Sequence, residues 1–105
     1  MSRAANPERG RSVLKRARAW RDRNPRAWAW IKAQAAAEVE AGRVFGAREL
    51  VERARFKDFA PVDGGRWAIN NDYIPVFTRW ILAEVPGAAR CIKSRRADVD
   101  AAGAV

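Results

Sequence analysis

The stretch that decides the fold is residues 24–42, NPRAWAWIKAQAAAEVEAG. Pro25 suits the first turn of a helix, where its missing N–H costs nothing, and Asn24 before it is a suitable cap. Gly42 supplies a stop at the other end. Apolar residues recur between them at helical spacing, at Trp28, Ile31, Ala35 and Val39. The pattern predicts an amphipathic helix that ends near Ala41.

Two further helices are predicted on the C-terminal side. The first runs from Ala47 to about Phe56. The second begins at Asn70-Asn71-Asp72, which combines a cap with a negative charge, and ends at Val85-Pro86-Gly87. We expect one contiguous core between the three helices, formed by Trp28, Ile31, Leu50, Phe77, Trp80 and Ile81.

A β-hairpin is predicted between the last two helices. Phe59, Pro61 and Val62 precede Asp63-Gly64-Gly65, a turn that allows positive φ, and residues 66–69 then alternate polar and apolar. Three helices and a hairpin are the inventory of a winged-helix domain, although here the hairpin precedes the last helix. The expected fold class is therefore mainly α with a small β-hairpin, a compact winged-helix-like domain preceded by a basic helix.

The N-terminal segment is unusually basic. Nine of the 21 Lys and Arg residues lie within the first 26 positions, against only Glu8 and Asp22. Residues 1–10 are expected to be disordered, and residues 11–23 to form an amphipathic helix. The predicted organisation is a basic helical extension at 1–25, a helical domain with a hairpin at 26–96 and a disordered tail at 97–105.

A dense basic helix favours a polyanionic partner, through counterion release and electrostatic steering. The alternative is a solvated charged helix that packs Val13, Leu14 and Trp20 on the body. Asn and Arg near the last helix could read adenine and guanine edges; alternatively, Asn70 and Asn71 are cap and turn residues and Arg79 pairs with a carboxylate. The candidate nucleic-acid-binding residues are Arg11, Lys15, Arg16, Arg18, Arg23, Arg66, Asn70, Asn71, Arg79, Arg95 and Arg96.

Other classes of function lack the residues that they require. The sequence has no His and a single Cys, Cys91, so the usual general base, a disulfide and a zinc site are missing. No phosphate-binding glycine loop is present. We therefore expect no enzyme activity, no cofactor and no metal. No apolar run approaches the ~20 residues of a membrane span, and no secretory signal is visible, which favours a cytoplasmic protein without membrane contact.

Residues 24–56 and 64–96 resemble a family of small, mostly uncharacterised phage and prophage proteins. The resemblance rests on Gly42, Leu50, Glu52, Arg55, the Ile-Asn-Asn run at 69–71, Arg79 and Pro86. It implies a phage origin, and hence a bacterial cytoplasm as the location, but no settled activity. The basic N-terminal helix lies outside the resemblance.

These observations predict a phage-derived accessory or regulatory protein that binds nucleic acid, with DNA favoured over RNA. A second hypothesis is an inhibitor of a host defence complex, of the anti-CRISPR type, acting by protein or nucleic-acid contact. At a net charge of +9 it could not be an acidic DNA mimic. A third is a structural or oligomeric interaction module.

Overall fold

A computed structural model of the chain describes residues 6–93. The predicted mainly helical fold is confirmed, with most of these residues in helices. The helices are α1 (Pro7–Arg23), α2 (Pro25–Glu40), α3 (Ala47–Ala54) and α4 (Ile74–Glu84), with 3₁₀ turns at Asn71–Tyr73 and Ala88–Arg90. None of the helices within residues 6–93 is long and apolar enough to cross a membrane.

Helix α1 begins four residues earlier than the sequence predicted. Asn6 is the N-cap, and its side chain accepts a hydrogen bond from the backbone N–H of Arg9 at 3.2 Å. Pro7 occupies the first turn, as proline can at that position. Gly10 is buried on the inner face of the helix. The expected disorder of residues 1–10 is therefore wrong for residues 7–10, because Asn6-Pro7 is a helix start.

Asn24 joins α1 to α2 in a way that the sequence did not predict. It is buried, and its side-chain amide donates to the carbonyl of Trp20 at 2.9 Å, so it caps the end of α1. No side-chain cap bond to α2 is present. Pro25 then starts α2 directly, because Pro cannot continue α1 without losing a backbone donor. The two helices are thus joined through a single residue.

The core is one cluster shared by all four helices. Phe77 of α4 is fully buried at its centre, with Trp20 of α1 at 5.1 Å and Trp28 of α2 at 5.5 Å between ring centroids. Trp80 lies edge-on to Trp28 at 5.3 Å. All six predicted core residues belong to this cluster. Val13, Leu14, Ala17 and Trp20 of α1 belong to it as well, so the boundary expected after residue 25 does not separate two cores.

Residues 55–70 form a loop in place of the predicted hairpin, and no strand is found within residues 6–93. The turn itself forms: Gly64 has φ +74 and donates to the carbonyl of Pro61 at 3.0 Å. The two arms do not pair, because α1 takes their polar groups. Val62 N–H donates to the carbonyl of Arg23 at 2.8 Å, and the indole N–H of Trp20 donates to the carbonyl of Ala68 at 2.6 Å.

The segment after α2 meets the C-terminal turn. Phe45, fully buried, forms an isolated parallel bridge with Ile92. Its N–H donates to the carbonyl of Cys91 at 3.0 Å, and its carbonyl accepts from the N–H of Lys93 at 2.8 Å. This contact closes the core beside α3. The tail predicted at 97–105 lies outside the described residues.

Candidate nucleic-acid interface

The outer surface of α1 carries two rows of cations. Arg11, Lys15 and Arg18 follow one another at i, i+4 and i+7, which places them on one side of the helix. Arg16 and Arg23 lie at i and i+7 on the other side. All five side chains are exposed, while the inner face is buried in the core. The helix therefore presents positive charge on both sides of its solvent face.

Four of these cations have no carboxylate partner within residues 6–93. Arg11, Lys15 and Arg18 form no ion pair there, and Arg16 makes only a hydrogen bond from its Nε to the carbonyl of Ser12, at 3.4 Å. We call Arg11, Lys15, Arg16 and Arg18 the α1 basic face. Exposed ammonium and guanidinium groups without a partner keep their donors available to an anion.

Basic residues on and near α2 and α3 differ from those on the outer surface of α1, because several of them pair with carboxylates. Glu38 is buried and accepts hydrogen bonds from Arg43 and Arg53. Those two guanidinium groups, Arg43 first, hold the pKa of the Glu38 carboxyl below its ordinary value, against the opposing effect of burial. Lys93 lies 3.9 Å from Glu49. Charge in this part of the protein is therefore largely balanced.

Arg21 attaches α1 to the rest of the protein. Its guanidinium lies over the rings of Trp28 and Trp80, at 4.9 and 5.0 Å from their centroids, and donates to both carboxylate oxygens of Glu84 at 2.7 and 2.8 Å. Lys32 reaches the same carboxylate at 3.3 Å. The Arg21 guanidinium holds the pKa of Glu84 below its ordinary value. These contacts fix the α1 basic face on a rigid support.

Arg23 is exposed but already paired. Its guanidinium donates to the Asp63 carboxylate at 2.8 and 3.2 Å. This hydrogen bonding lowers the pKa of Asp63 and raises that of Arg23. The pair holds the tip of the loop against the end of α1, so the role of Arg23 is at least partly structural.

The other predicted site residues do not join the α1 basic face. Asn70 caps the turn before α4, since its side chain accepts from the N–H of Asp72 at 2.8 Å. Asn71 accepts a hydrogen bond from Arg55, and Arg79 is half-buried and engaged in an interaction of its own. Arg66 is exposed in the loop. Arg95 and Arg96 lie outside the described residues.

The sequence did not reveal Arg21, Lys32 and Glu84 as a group. Arg21 stands on the apolar side of α1, next to Trp20, and that position was the available signal, since an isolated charge there requires a partner. Nothing in the spacing identified Glu84 as that partner. Within residues 6–93 no cluster of acidic residues and Cys could hold a metal ion.

A comparison with protein-family models, with curated proteins and with solved structures finds no match for this chain.

Proposed function

We propose that the protein binds nucleic acid through the phosphates, using the α1 basic face, and serves as an accessory or regulatory factor. One observation carries the proposal. Arg11, Lys15, Arg16 and Arg18 are exposed and have no ion-pair partner within residues 6–93, whereas carboxylates pair with Lys32, Arg53 and Arg55 elsewhere and leave only single cations such as Arg26 and Arg48 unpaired on α2 and α3. Solubility alone does not require this density of unpaired cations on one helix, where Glu8 and Asp22 are the exposed carboxylates.

The rigid mounting of α1 supports the same proposal. A cation on a fixed helix loses less conformational entropy on binding than one on a mobile arm. Arg21 and Trp20 hold α1 by contacts with α2, α4 and the loop. Lys15 and Arg18 are about 4.5 Å apart along the helix axis, so both can face one nucleic-acid strand, on which phosphates recur about every 3.4 Å of duplex axis.

We further propose that this binding depends little on base sequence. In a winged-helix domain the hairpin would form the wing that contacts DNA, but here residues 55–70 form a loop. Asn70 and Asn71, which could have read base edges, already accept hydrogen bonds from Asp72 and Arg55. Contacts to phosphates position a protein without specifying sequence.

Charge reversal on α1 tests the proposal. The triple variant Lys15→Glu, Arg16→Glu, Arg18→Glu should bind a random duplex far more weakly than the wild type, as measured by fluorescence anisotropy over a salt series. Removal of one phosphate contact should reduce the log–log salt slope by about 0.9. The matched control reverses Arg48, Arg90 and Lys93, which are exposed outside α1 and give the same change in net charge.

The control triple should bind much more tightly than the α1 triple. Equal affinity in the two triples would mean that net charge alone drives binding, and would refute the role of α1. An acidic surface of a host defence complex is the alternative partner. Absence of binding to any nucleic acid, with retention of such a complex by the wild-type protein and not by the α1 triple, would move that alternative to first place.

A further inference from the structure

Three aromatic rings meet at the surface where the loop packs on α2. The ring centroids of Trp30 and Phe59 are 6.1 Å apart, and those of Phe59 and Trp67 are 5.2 Å apart at an interplanar angle of 84°. We call Trp30, Phe59 and Trp67 the aromatic surface cluster. Each is only half-buried, although each packs against the core on its inner side.

Lys57 contacts this cluster, and Arg26 and Arg66 lie near its rings along the chain. The Lys57 ammonium lies over the Trp30 ring at 5.5 Å from its centroid, and the Lys57 carbonyl accepts from the indole N–H of Trp67 at 3.1 Å. Arg26 is exposed one helical turn before Trp30, and exposed Arg66 precedes Trp67. An anionic ligand that reaches the rings would therefore meet three positive groups.

Phe56 is the most exposed large apolar side chain in residues 6–93, at 91%. It immediately precedes Lys57, at the point where α3 has ended and the loop begins. Leaving a phenyl ring in water forfeits the free energy that its burial would give. Phe56 is thus an exposed ring adjacent in sequence to Lys57, whose ammonium and carbonyl contact the aromatic surface cluster, and a ligand bound there could cover it.

We propose that Phe56 and the aromatic surface cluster bind unpaired nucleobases by stacking, so that the protein prefers single-stranded nucleic acid or strands with unpaired segments. The inference rests on the proposed function, in which α1 holds the phosphates. Base stacking on aromatic side chains with cations nearby is the usual means of holding a single strand without sequence preference. A base has two π faces, whereas a phosphate alone offers no surface to an aromatic ring.

The C-terminal end of α1, which follows the α1 basic face along the helix, contacts the loop that carries Phe59 and Trp67. At the end of α1, the carbonyl of Arg23 accepts a hydrogen bond from the Val62 N–H, and the Arg23 guanidinium pairs with Asp63. The loop therefore passes beside the end of the helix. Gly65 lies against the Arg23 guanidinium, where an added Cβ would be 3.0 Å from its terminal nitrogen. A strand on α1 could thus continue to Arg66 and Trp67.

The combination of aromatic rings and cations on this surface favours nucleobases over an acidic protein segment as the ligand. An acidic peptide would use the cations and leave the rings in water, whereas a single strand supplies phosphates and flat apolar rings together. Asp63, the carboxylate at the loop tip, is already neutralised by Arg23.

The test compares three labelled probes of equal length: an oligo-dT strand, the same strand with abasic sites throughout its middle, and a duplex. All supply phosphates, but only oligo-dT supplies accessible bases. The full-length protein should bind oligo-dT about tenfold or more tightly than the abasic strand. Poly-glutamate serves as the competitor that carries charge without bases, and it should displace oligo-dT poorly.

Two substitutions locate the effect. Phe56→Ala and Trp67→Ala should each weaken oligo-dT binding several-fold and leave binding to the abasic strand unchanged, while Phe56→Tyr retains the wild-type preference. Because Phe56 is so exposed, Phe56→Ala should fold normally, as the melting temperature would show. Equal binding of oligo-dT and abasic strands, or displacement by poly-glutamate at equal charge, would overturn stacking and leave phosphate binding intact. Failure of all three probes would instead overturn the proposed function, and this inference with it.

Discussion

Arg21 joins three helices through one guanidinium. It is one-third exposed, yet it contacts two tryptophan rings and makes a bidentate pair with Glu84. Arg21→Ala should therefore lower the free energy of unfolding by about 2 kcal/mol, from cation–π contact and charge-assisted hydrogen bonds. Urea denaturation followed by tryptophan fluorescence measures this change in the free energy of unfolding. Arg16→Ala, on the exposed side of the same helix, should change stability by less than about 0.5 kcal/mol.

Glu84 makes the stability of the protein depend on pH. Because Arg21 lowers the pKa of this carboxyl in the folded state, folding favours its charged form. Its contribution is present above the ordinary value of 4.5 and is lost as the pH falls through the lower folded value. Wild type and Glu84→Gln should therefore differ in melting temperature at neutral pH, and the difference should shrink as the pH falls below 4.5 and through the lower folded value. A constant difference across this range would show that Glu84 acts by shape alone.

At the scale of single residues, the sequence predicted those features that depend on near neighbours in the chain. The Asn70 cap and the outward direction of Lys15 follow from neighbours a few positions away, and the structure shows both. The pair Arg21–Glu84 joins the first helix to the fourth, and periodicity carries no information about such partners. The side-chain amide of Asn24 was assigned to the wrong helix for a related reason, since either neighbouring helix end could have received it.

At the scale of elements, Gly87 forms the turn between the end of α4 and the Ala88–Arg90 3₁₀ turn. It has φ +83, and an added Cβ would lie 2.9 Å from Cγ1 of Val39 on α2. Gly42, after α2, has φ +70 but no atom within 4 Å of that position. Gly42→Ala should cost only the backbone strain, about 1 kcal/mol, and Gly87→Ala should cost clearly more, by overpacking α2 against the C-terminal turn. Thermal unfolding of both variants measures the difference in stability. Equal losses of stability would mean that the turn at Gly87 shifts to accommodate the added Cβ.

Helices with strong apolar periodicity were predictable, and the hairpin was not. Residues 24–42 and 70–87 contain both a stripe and stop signals. Helix α2 lies where these signals place it, whereas α4 begins at Ile74, after the 3₁₀ turn that Asn70 caps. The Asp63-Gly64-Gly65 turn was also recognised, and it forms. Whether its arms pair with each other depends on competing donors and acceptors, and here Trp20 and Arg23 of α1 supply the partners. That competition is a tertiary effect that a turn signal does not reveal.

At the scale of the whole molecule, α1 is part of the single core, although its composition predicts an appendage. Val13, Leu14, Ala17 and Trp20 pack in the same cluster as Phe77. Deletion of residues 1–23 should therefore abolish cooperative unfolding, because it removes apolar area that a domain of this size cannot spare. Thermal melts followed by circular dichroism would show the loss of the cooperative transition. A synthetic peptide of residues 6–23, added in excess, should restore the transition; a truncated protein that melts cooperatively alone would contradict the shared core.

The α1 basic face is the part of the candidate site that composition and spacing could predict. Its four cations are exposed as the helical spacing indicates. The aromatic surface cluster could not be foreseen, because Trp30, Phe59 and Trp67 come from a helix and two arms of a loop, and the loop was expected to be paired strands.

The hydrogen bond from Val62 to the Arg23 carbonyl makes one amide a reporter of the docking of α1. Val62 is 69% exposed in an irregular loop, where amides ordinarily exchange with solvent deuterium within seconds. Its protection therefore measures how often the loop lifts away from the end of α1, an opening that leaves the shared core intact. A strand lying across both surfaces would slow that opening, so deuterium uptake at this position would register ligand occupancy even where chemical shifts barely change.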